Sequence, residues 1–525
     1  MSAAVSPRLL LGLAWRRDRI MIAVWYAVLL LMVFASAAST ATLYASDADR
    51  VSAADAINSS PGLVALYGPI LDVHSLGELA MTKMTVTYAV LVAMMLLFVV
   101  RRHTRLEEEN GQAELVGGAA MTSVAPLRAA LMFGVAVSVV LGLLAAALNT
   151  AAGLSVAGSL AFGASWAGVG IVATGITAAA CQVSPSARTC ATIATTAVLG
   201  LFILRAVGDT TAASWLSWLS PFGWNTQLRA YGDTRWWVLG LYLLTAAALG
   251  AVALALRQHR DLGAGLVEPR PGSAVGSPRL ADAVALSLNV HGPMLLSWTV
   301  GVAVMGLVFG AITPSFDNFD SEAMRELLER LGGVGALHDT LIAAVLVVGG
   351  VIVTCFAVAV ITHGGADEHD GRTEQVLATA TSRSRSLLAT VLVAIGGATF
   401  LLGVLGVTMA VGVGNGSTHS FGTIALSALA QAPAMWAVSA LAVLCYAVRS
   451  RWAVLGWAMV VVCTTLTLAG EMLRLPQWVL DLSPYSHAPL MPQEPFEVGP
   501  ALLLSLVAAA VLLVAWRRYC TRDIG

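Results

Sequence analysis

The chain has 525 residues, 58% of them apolar and 11% charged, with a mean hydropathy of +0.81 and a formal net charge of −1. Soluble domains run near 45–50% apolar and about 25% charged, so a soluble enzyme of this length is excluded for want of charge to cover its surface. The near-neutral balance also gives no basic surplus for nucleic acid.

Windows of about 19 residues mark twelve candidate membrane spans. They lie near 20–43, 84–100, 127–148, 155–181, 190–207 and 236–256, then 294–312, 340–362, 387–413, 420–447, 452–471 and 499–516. The expected fold class is therefore an all-α polytopic membrane protein with 12 transmembrane helices arranged as two parallel six-helix repeats. Residues 1–264 form the first six-span half, 265–277 a cytoplasmic linker, and 278–525 the second half. The stretch from Arg257 to Ser277 is rich in Pro, Gly and Ser, which marks the boundary.

At the start of the chain, Pro7 to Trp15 reads as a short elbow helix in the inner interface, with proline near its first turn. Pro278 to Leu288 reads the same way. Ala35-Ser36-Ala37 resembles a signal cleavage site, but the apolar run before it exceeds the usual h-region, so it reads as a retained span. After the second span, Thr104-Arg105-Leu106-Glu107 has capping-box spacing, with the threonine oxygen accepting from an amide and Glu107 reaching back. A short helix starting there carries Glu107, Glu108 and Glu114 into the cytoplasm. Between the fifth and sixth spans, Trp215 to Trp224 is too broken by proline and glycine to cross a membrane, and its tryptophans suit headgroup depth. It reads as a re-entrant or interfacial hairpin, with Leu475 to Phe496 as its second copy. Ser321 to Leu331 reads as an extracytoplasmic helix capped by serine. Asn58-Ser59-Ser60 and Asn415-Gly416-Ser417 match the glycosylation pattern.

The halves repeat one another. Ser6-Pro7-Arg8-Leu9 recurs as Ser277-Pro278-Arg279-Leu280. The loop from Glu107 to Glu114, containing Gly111, is answered by the loop from Asp367 to Glu374, containing Glu368, Gly371 and Arg372. Leu219-Ser220-Pro221-Phe222 is answered by Leu482-Ser483-Pro484-Tyr485. Three matches in one order indicate duplication. An even number of spans per half makes the repeats parallel, related by an axis along the membrane normal. Arginine clusters at 16–19, 101–105, 257–260, 449–451 and 517–522 fall on one face if both termini are cytoplasmic, which satisfies the positive-inside rule.

Little else carries chemistry. Lys83 is the only lysine, and no glycine-rich turn precedes it, so the chain has no P-loop of its own. Six cysteines show no metal-type CxxC pair, and His363, His369 and Asp367 read as a solvated loop rather than a metal site. Catalytic and metal residues are none. Two charges interrupt the spans, Arg205 and Glu471, each near the outer end of a fifth span.

Two six-span halves with elbow helices, acidic loops followed by Leu115-Val116-Gly117 and Val376-Leu377-Ala378, and an external hairpin before the sixth span resemble a known class. They are similar to permeases of the type-2 ABC exporter class with the halves fused, in the branch of polyketide-antibiotic (tetronasin-type) exporters and mycobacterial multidrug efflux permeases. The resemblance covers essentially the whole chain. It implies a bacterial plasma-membrane, multi-pass permease that moves hydrophobic small molecules outward. Two copies of a separate ABC ATPase subunit would dock beneath it. ATP and Mg would belong to that partner, leaving this chain no enzyme and with no cofactor of its own.

The same resemblance makes Glu107, Glu108, Gly111, Glu114, Asp367, Glu368, Gly371, Arg372 and Glu374 the ATPase-coupling residues. Gln112 and Ser123 stand where the second half has Arg372 and Arg383, so the two loops are expected to differ. The second and fifth spans are implied to line a central cavity between the halves, with Met95, Phe202, Cys355 and Thr465 as candidate substrate contacts. The repeat offset of 263 places Arg205 near the depth of Glu471, as a candidate outer-gate pair. A major-facilitator carrier is the rival. Asp370-Gly371-Arg372 faintly matches its loop motif, but the absence of intramembrane acids counts against it.

Overall fold

A computed structural model describes residues 7–44, 46–117, 122–268, 275, 277, 280, 282–313, 334–414, 419–469 and 476–523. These residues are helices and connecting turns, with no strand among them. Among the described residues, eleven helices are long and apolar enough to cross a membrane, and a bent pair raises the number to twelve. The chain is an all-α polytopic membrane protein. It divides into two compact units, Met1–Gly272 and Ser273–Gly525.

In the first unit the six spans are Pro7–Leu43, the bent pair Leu76–Thr85 and Thr87–Arg102, Ala125–Ala151, Val156–Val183, Ala187–Thr210 and Val238–Gln258. The first helix runs without a break, so Pro7 to Trp15 is the start of a long span and not a separate elbow. Nothing in that stretch interrupts the backbone ladder, and Pro7 sits at the end where a missing amide costs nothing. Pro278, Ser321–Leu331, Asn415–Ser417 and Glu471 lie outside the described residues.

The second span begins earlier than hydropathy indicates and bends by 42° at Val86. A bend frees carbonyls that lipid cannot satisfy. Here the indole of Trp166 donates to Met84 at 2.9 Å, and the carboxamide of Asn225 donates to Thr85 at 2.6 Å. Both donors are buried and come from other elements, so the bend is built in by tertiary contacts.

Small residues bring helices together. A Cβ on Gly142 would lie 2.3 Å from the Gly163 carbonyl oxygen, and one on Gly163 would lie 2.2 Å from the Gly142 oxygen. The third and fourth spans therefore cross backbone to backbone, the kind of contact that drives helix association where water is absent. Phe162, Trp166, Val169 and Tyr242 fill the core beside this crossing.

The second unit repeats the order with helices Ala283–Ile312, Val334–His369, Arg383–Val413, Phe421–Val448, Ser450–Thr467 and Val498–Thr521. Its close crossings include Gly310 against Gly412, each 2.5 Å from an opposing carbonyl oxygen if given a Cβ, and Gly406, whose Cβ would lie 2.1 Å from the Ala425 oxygen. Phe356, Leu401, Leu405, Met435 and Tyr446 make its core.

The segment before each sixth span is a short hairpin. Ser214–Leu219 is a 3-10 turn, Ser220 accepts from the Phe222 amide at 3.2 Å, and Pro221–Gln227 is helical. In the second unit Ser483 precedes the 3-10 turn Pro484–His487. Ser220 and Ser483 are both fully buried, as are Phe222 and Tyr485.

Candidate coupling site

The loop after the second span folds the same way in both units. In the first, Arg105–Glu109 and Gln112–Gly117 are short helices separated at Gly111, whose φ is +71°. In the second, the long helix runs to His369, and Arg372–Leu377 follows Gly371 with φ +73°. The Gly111 amide donates to the Glu108 carbonyl at 3.2 Å and the Gly371 amide to the Glu368 carbonyl at 3.1 Å. A left-handed residue closing a helix end is the position where glycine has no Cβ penalty. The repeated glycines are thus a backbone requirement.

The capping box does not form. Thr104 has no side-chain cap bond; its hydroxyl donates back to the Val100 carbonyl at 2.7 Å. Glu107 turns instead to Arg17 at 2.9 Å and His103 at 3.2 Å. His103 in turn meets the fully buried Asp18 at 2.7 Å, and Arg102 meets the same carboxylate at 3.1 Å. The first span is therefore fastened to the loop through a chain of alternating charge.

The acidic residues sort into three positions. Glu108 and Glu368 point inward, with side chains only 9% and 6% exposed. Glu108 accepts both Arg260 guanidinium nitrogens at 2.7 Å and Arg105 at 2.5 Å, with Arg257 at 4.0 Å. Glu368 accepts from Arg522 at 2.5 Å, whose guanidinium stacks on Tyr446 and Tyr519. Both are charge-assisted contacts, the stronger kind of hydrogen bond. They are taken up inside their units, so neither carboxylate is presented outward as the sequence reading supposed. Glu107 and Asp367 lie half-exposed at the side. Glu114 and Glu374 are exposed.

The two loops differ as Gln112 and Arg372 suggest. Arg17 reaches over from the first span to Glu107 and to the side-chain amide oxygen of Gln112 at 3.0 Å. In the second unit the arginine comes from the loop itself, with Arg372 on Asp367 at 2.6 Å and on Asp370. Arg383 donates to the carbonyls of Cys520 and Arg522 at 3.2 and 2.9 Å, holding the end of the last helix. Ser123 is exposed and makes no such contact. His363 lies 3.8 Å from Asp367 and edge-on to His291, while His369 is exposed.

The segment read as a linker begins inside the first unit. Leu266 and Val267 amides donate to the Gln182 and Val183 carbonyls at 3.1 and 2.9 Å, and Arg105 and Arg260 hold the Ala264 carbonyl at 2.6 and 2.9 Å. A cavity of about 270 Å³ beside it is lined by His103, Glu107, Glu108, Gln182, Arg257 and Arg260.

Arg205 is fully buried, so it does not reach for headgroups. Its Nε meets Asp209 at 2.7 Å, and its terminal nitrogens donate to the Ala65 and Val64 carbonyls at 2.7 and 3.2 Å. Those carbonyls end the helix Pro61–Tyr67, where a cation is favoured. Ser217 of the hairpin donates to Asp209 at 2.5 Å. Arg205 therefore ties the fifth span to the loop after the first span and to the hairpin.

Of the four candidate cavity residues, Met95 is fully buried in the first unit's core. Phe202 packs edge-on to Phe222 and under Arg205. Cys355 is half-buried against the second unit's core. Thr465 is exposed, its hydroxyl bonded back to Val461 at 2.9 Å.

Sequence reasoning missed Asp18, His103, Asp209, Arg260 and Arg522. A signal was present for His103. Aligning the halves on the glycines places His103 with His363, and Glu107 with Asp367, one helical turn apart in each copy.

Two comparisons bear on the whole chain. The family described as "Multidrug efflux system permease Rv1217c, C-terminal domain" matches residues 8–258 and 280–519. The multidrug efflux system permease protein Rv1217c of Mycobacterium tuberculosis (strain ATCC 25618 / H37Rv) is 37% identical over 527 residues, covering 98% of this chain and 94% of that protein. The chain belongs to this multidrug efflux permease family.

Proposed function

We propose that this member of the efflux-permease family is the membrane subunit of an ABC exporter, moving hydrophobic small molecules out of the cell on ATP hydrolysed by a separate subunit. The observation that carries it is the 37% identity over 98% of the chain to a multidrug efflux system permease. The need for a separate ATPase is supported by Lys83, the only lysine, which lies within the helix Leu76–Thr85 rather than in a phosphate-binding loop. Arginine placement supports an orientation with both termini and both loops on the cytoplasmic side.

In this reading two ATPase copies dock on the two glycine-broken loops. Glu114 and Glu374 are the carboxylates available for basic residues of the partner, because they are exposed. Gly111, Gly371, Glu107, Asp367 and Arg372 shape those surfaces. The loops carry unequal charge arrangements, so the two contacts differ in detail.

The test is the double variant Glu114→Lys, Glu374→Lys, co-expressed with the ATPase subunit. Loss of ATPase co-purification and of hydrophobic-dye efflux, with normal amounts in the membrane, is the expected result. Unchanged capture and efflux would overturn the docking assignment. ATP hydrolysis by the purified permease alone would overturn the division of labour.

A further inference from the structure

Each unit buries one carboxylate of its acidic loop and joins it to the residue run that follows its own sixth span. In the first unit the join is Glu108 to Arg260, two residues beyond the helix Val238–Gln258. In the second it is Glu368 to Arg522, one residue beyond Val498–Thr521. The same glutamate also supplies the backbone carbonyl on which the left-handed glycine closes. One residue is thus both the hinge's acceptor and the loop's fastener.

The surroundings of the two joins are unlike. Glu108 sits among Arg105, Arg257 and Arg260, with Gln182 and the Ala264 carbonyl sharing the guanidinium of Arg260. Glu368 meets an arginine whose guanidinium lies against a packed pair of tyrosine rings, backed by Arg383 on the adjacent carbonyls. The common element is the mechanical link. Buried ion pairs are often replaceable by apolar residues with no loss of stability. A demand for stability alone therefore does not account for the same link in both copies of such different sites.

We propose that Glu108 and Glu368 are positioning residues that make each loop and the end of its unit's sixth span move as one body, so that a push received on the loop is delivered to that span. This rests on the loops receiving the ATPase, as proposed above. It removes the two buried glutamates from direct contact with the partner and assigns them to transmission.

The test uses the permease reconstituted in lipid with its ATPase subunit, reading dye moved per ATP hydrolysed. Glu368→Gln and Arg522→Gln should each lower that ratio about tenfold while ATP turnover persists, an interaction lost from the coupled step and not from ATP use. The exchange Glu368→Arg with Arg522→Glu should restore most of it. Spin labels at positions 375 and 517 add a second measurement. The distance between them should stay narrow through the ATP cycle in the unaltered pair and broaden in Glu368→Gln. A normal ratio in both single variants overturns the proposal, as does an exchange no better than the singles or an unbroadened distance. ATPase capture separates the two readings. Loss of the ATPase from Glu368→Gln would make the glutamate a docking residue and end the transmission role. Failure of the unaltered loops to capture ATPase would refute the docking reading instead.

Discussion

Glu368 and Arg522 stand 154 residues apart in the chain and meet at 2.5 Å, with the arginine stacked on Tyr446 and Tyr519. Glu108 and Arg260 make the same connection 152 residues apart in the first unit. In both, the loop after the second span is anchored at the far end of the unit's sequence. The unit closes on itself through this contact, which brings helices distant in sequence to one end.

The first unit's pair is unequal, because Glu108 serves three arginines and each arginine has other acceptors. Glu108→Ala should therefore cost more than Arg260→Ala. Leaving buried charges uncompensated typically costs about 3–5 kcal/mol. Removing Arg260 loses its two charged hydrogen bonds to Glu108 but leaves the Arg105 contact in place, so the buried carboxylate stays paired. Thermal unfolding of the detergent-solubilised protein checks the order of the two.

Gly111 and Gly371 have φ of +71° and +73°, and a Cβ at either meets nothing within 4 Å. Alanine should destabilise each by about 1–2 kcal/mol from backbone strain alone. Asparagine should cost less, since its short polar side chain tolerates this conformation. Equal shifts for the two alanine variants are expected in the same unfolding measurement.

The bend at Val86 depends on donors from elsewhere. Asn225→Leu removes the partner of the Thr85 carbonyl and should cost about 1–3 kcal/mol for an unsatisfied buried group. Trp166→Phe removes the partner of Met84. Faster hydrogen exchange at residues 84–90 in either variant, with the rest of the span unchanged, is the expected outcome.

Arg205 and Asp209 form a buried pair within one helix, reinforced by Ser217 and by the carbonyls of the helix Pro61–Tyr67. A double-mutant cycle with Arg205→Met and Asp209→Asn should give a coupling energy of about 1.5–3 kcal/mol. The same cycle with Glu471→Gln tests the outer-gate pairing expected from the repeat offset. Coupling of Arg205 to Glu471 comparable to that with Asp209 would support that pairing, and additivity would refute it.

Hydropathy by itself located the long helices, because a helix facing lipid must be apolar over nearly its whole length, and that requirement is written in consecutive residues. It also showed the recurrent glycine in the acidic loops and the recurrent Ser-Pro before each sixth span, since backbone closure and helix starts are local chemistry. Where a local rule was applied to a cap or an elbow it failed. Thr104 found a better acceptor in its own helix at Val100, and Pro7 began a long helix without interrupting it.

Only the tertiary structure decided where the charges went. Composition shows that Glu107, Glu108 and Glu114 are charged, but not that one is buried, one is half-exposed and one is exposed. Their separation depends on Arg260 and Arg17, as the burial of Glu368 depends on Arg522, and these arginines lie far away in sequence and carry no local mark of the role. Arg205 pairs with Asp209 one turn on in its own helix, but its other acceptors come from a connecting helix that hydropathy leaves blank. A charge in an apolar helix announces a need for a partner. Which partner answers is set by chain closure over 90 to 160 residues, a relation that no window of sequence contains.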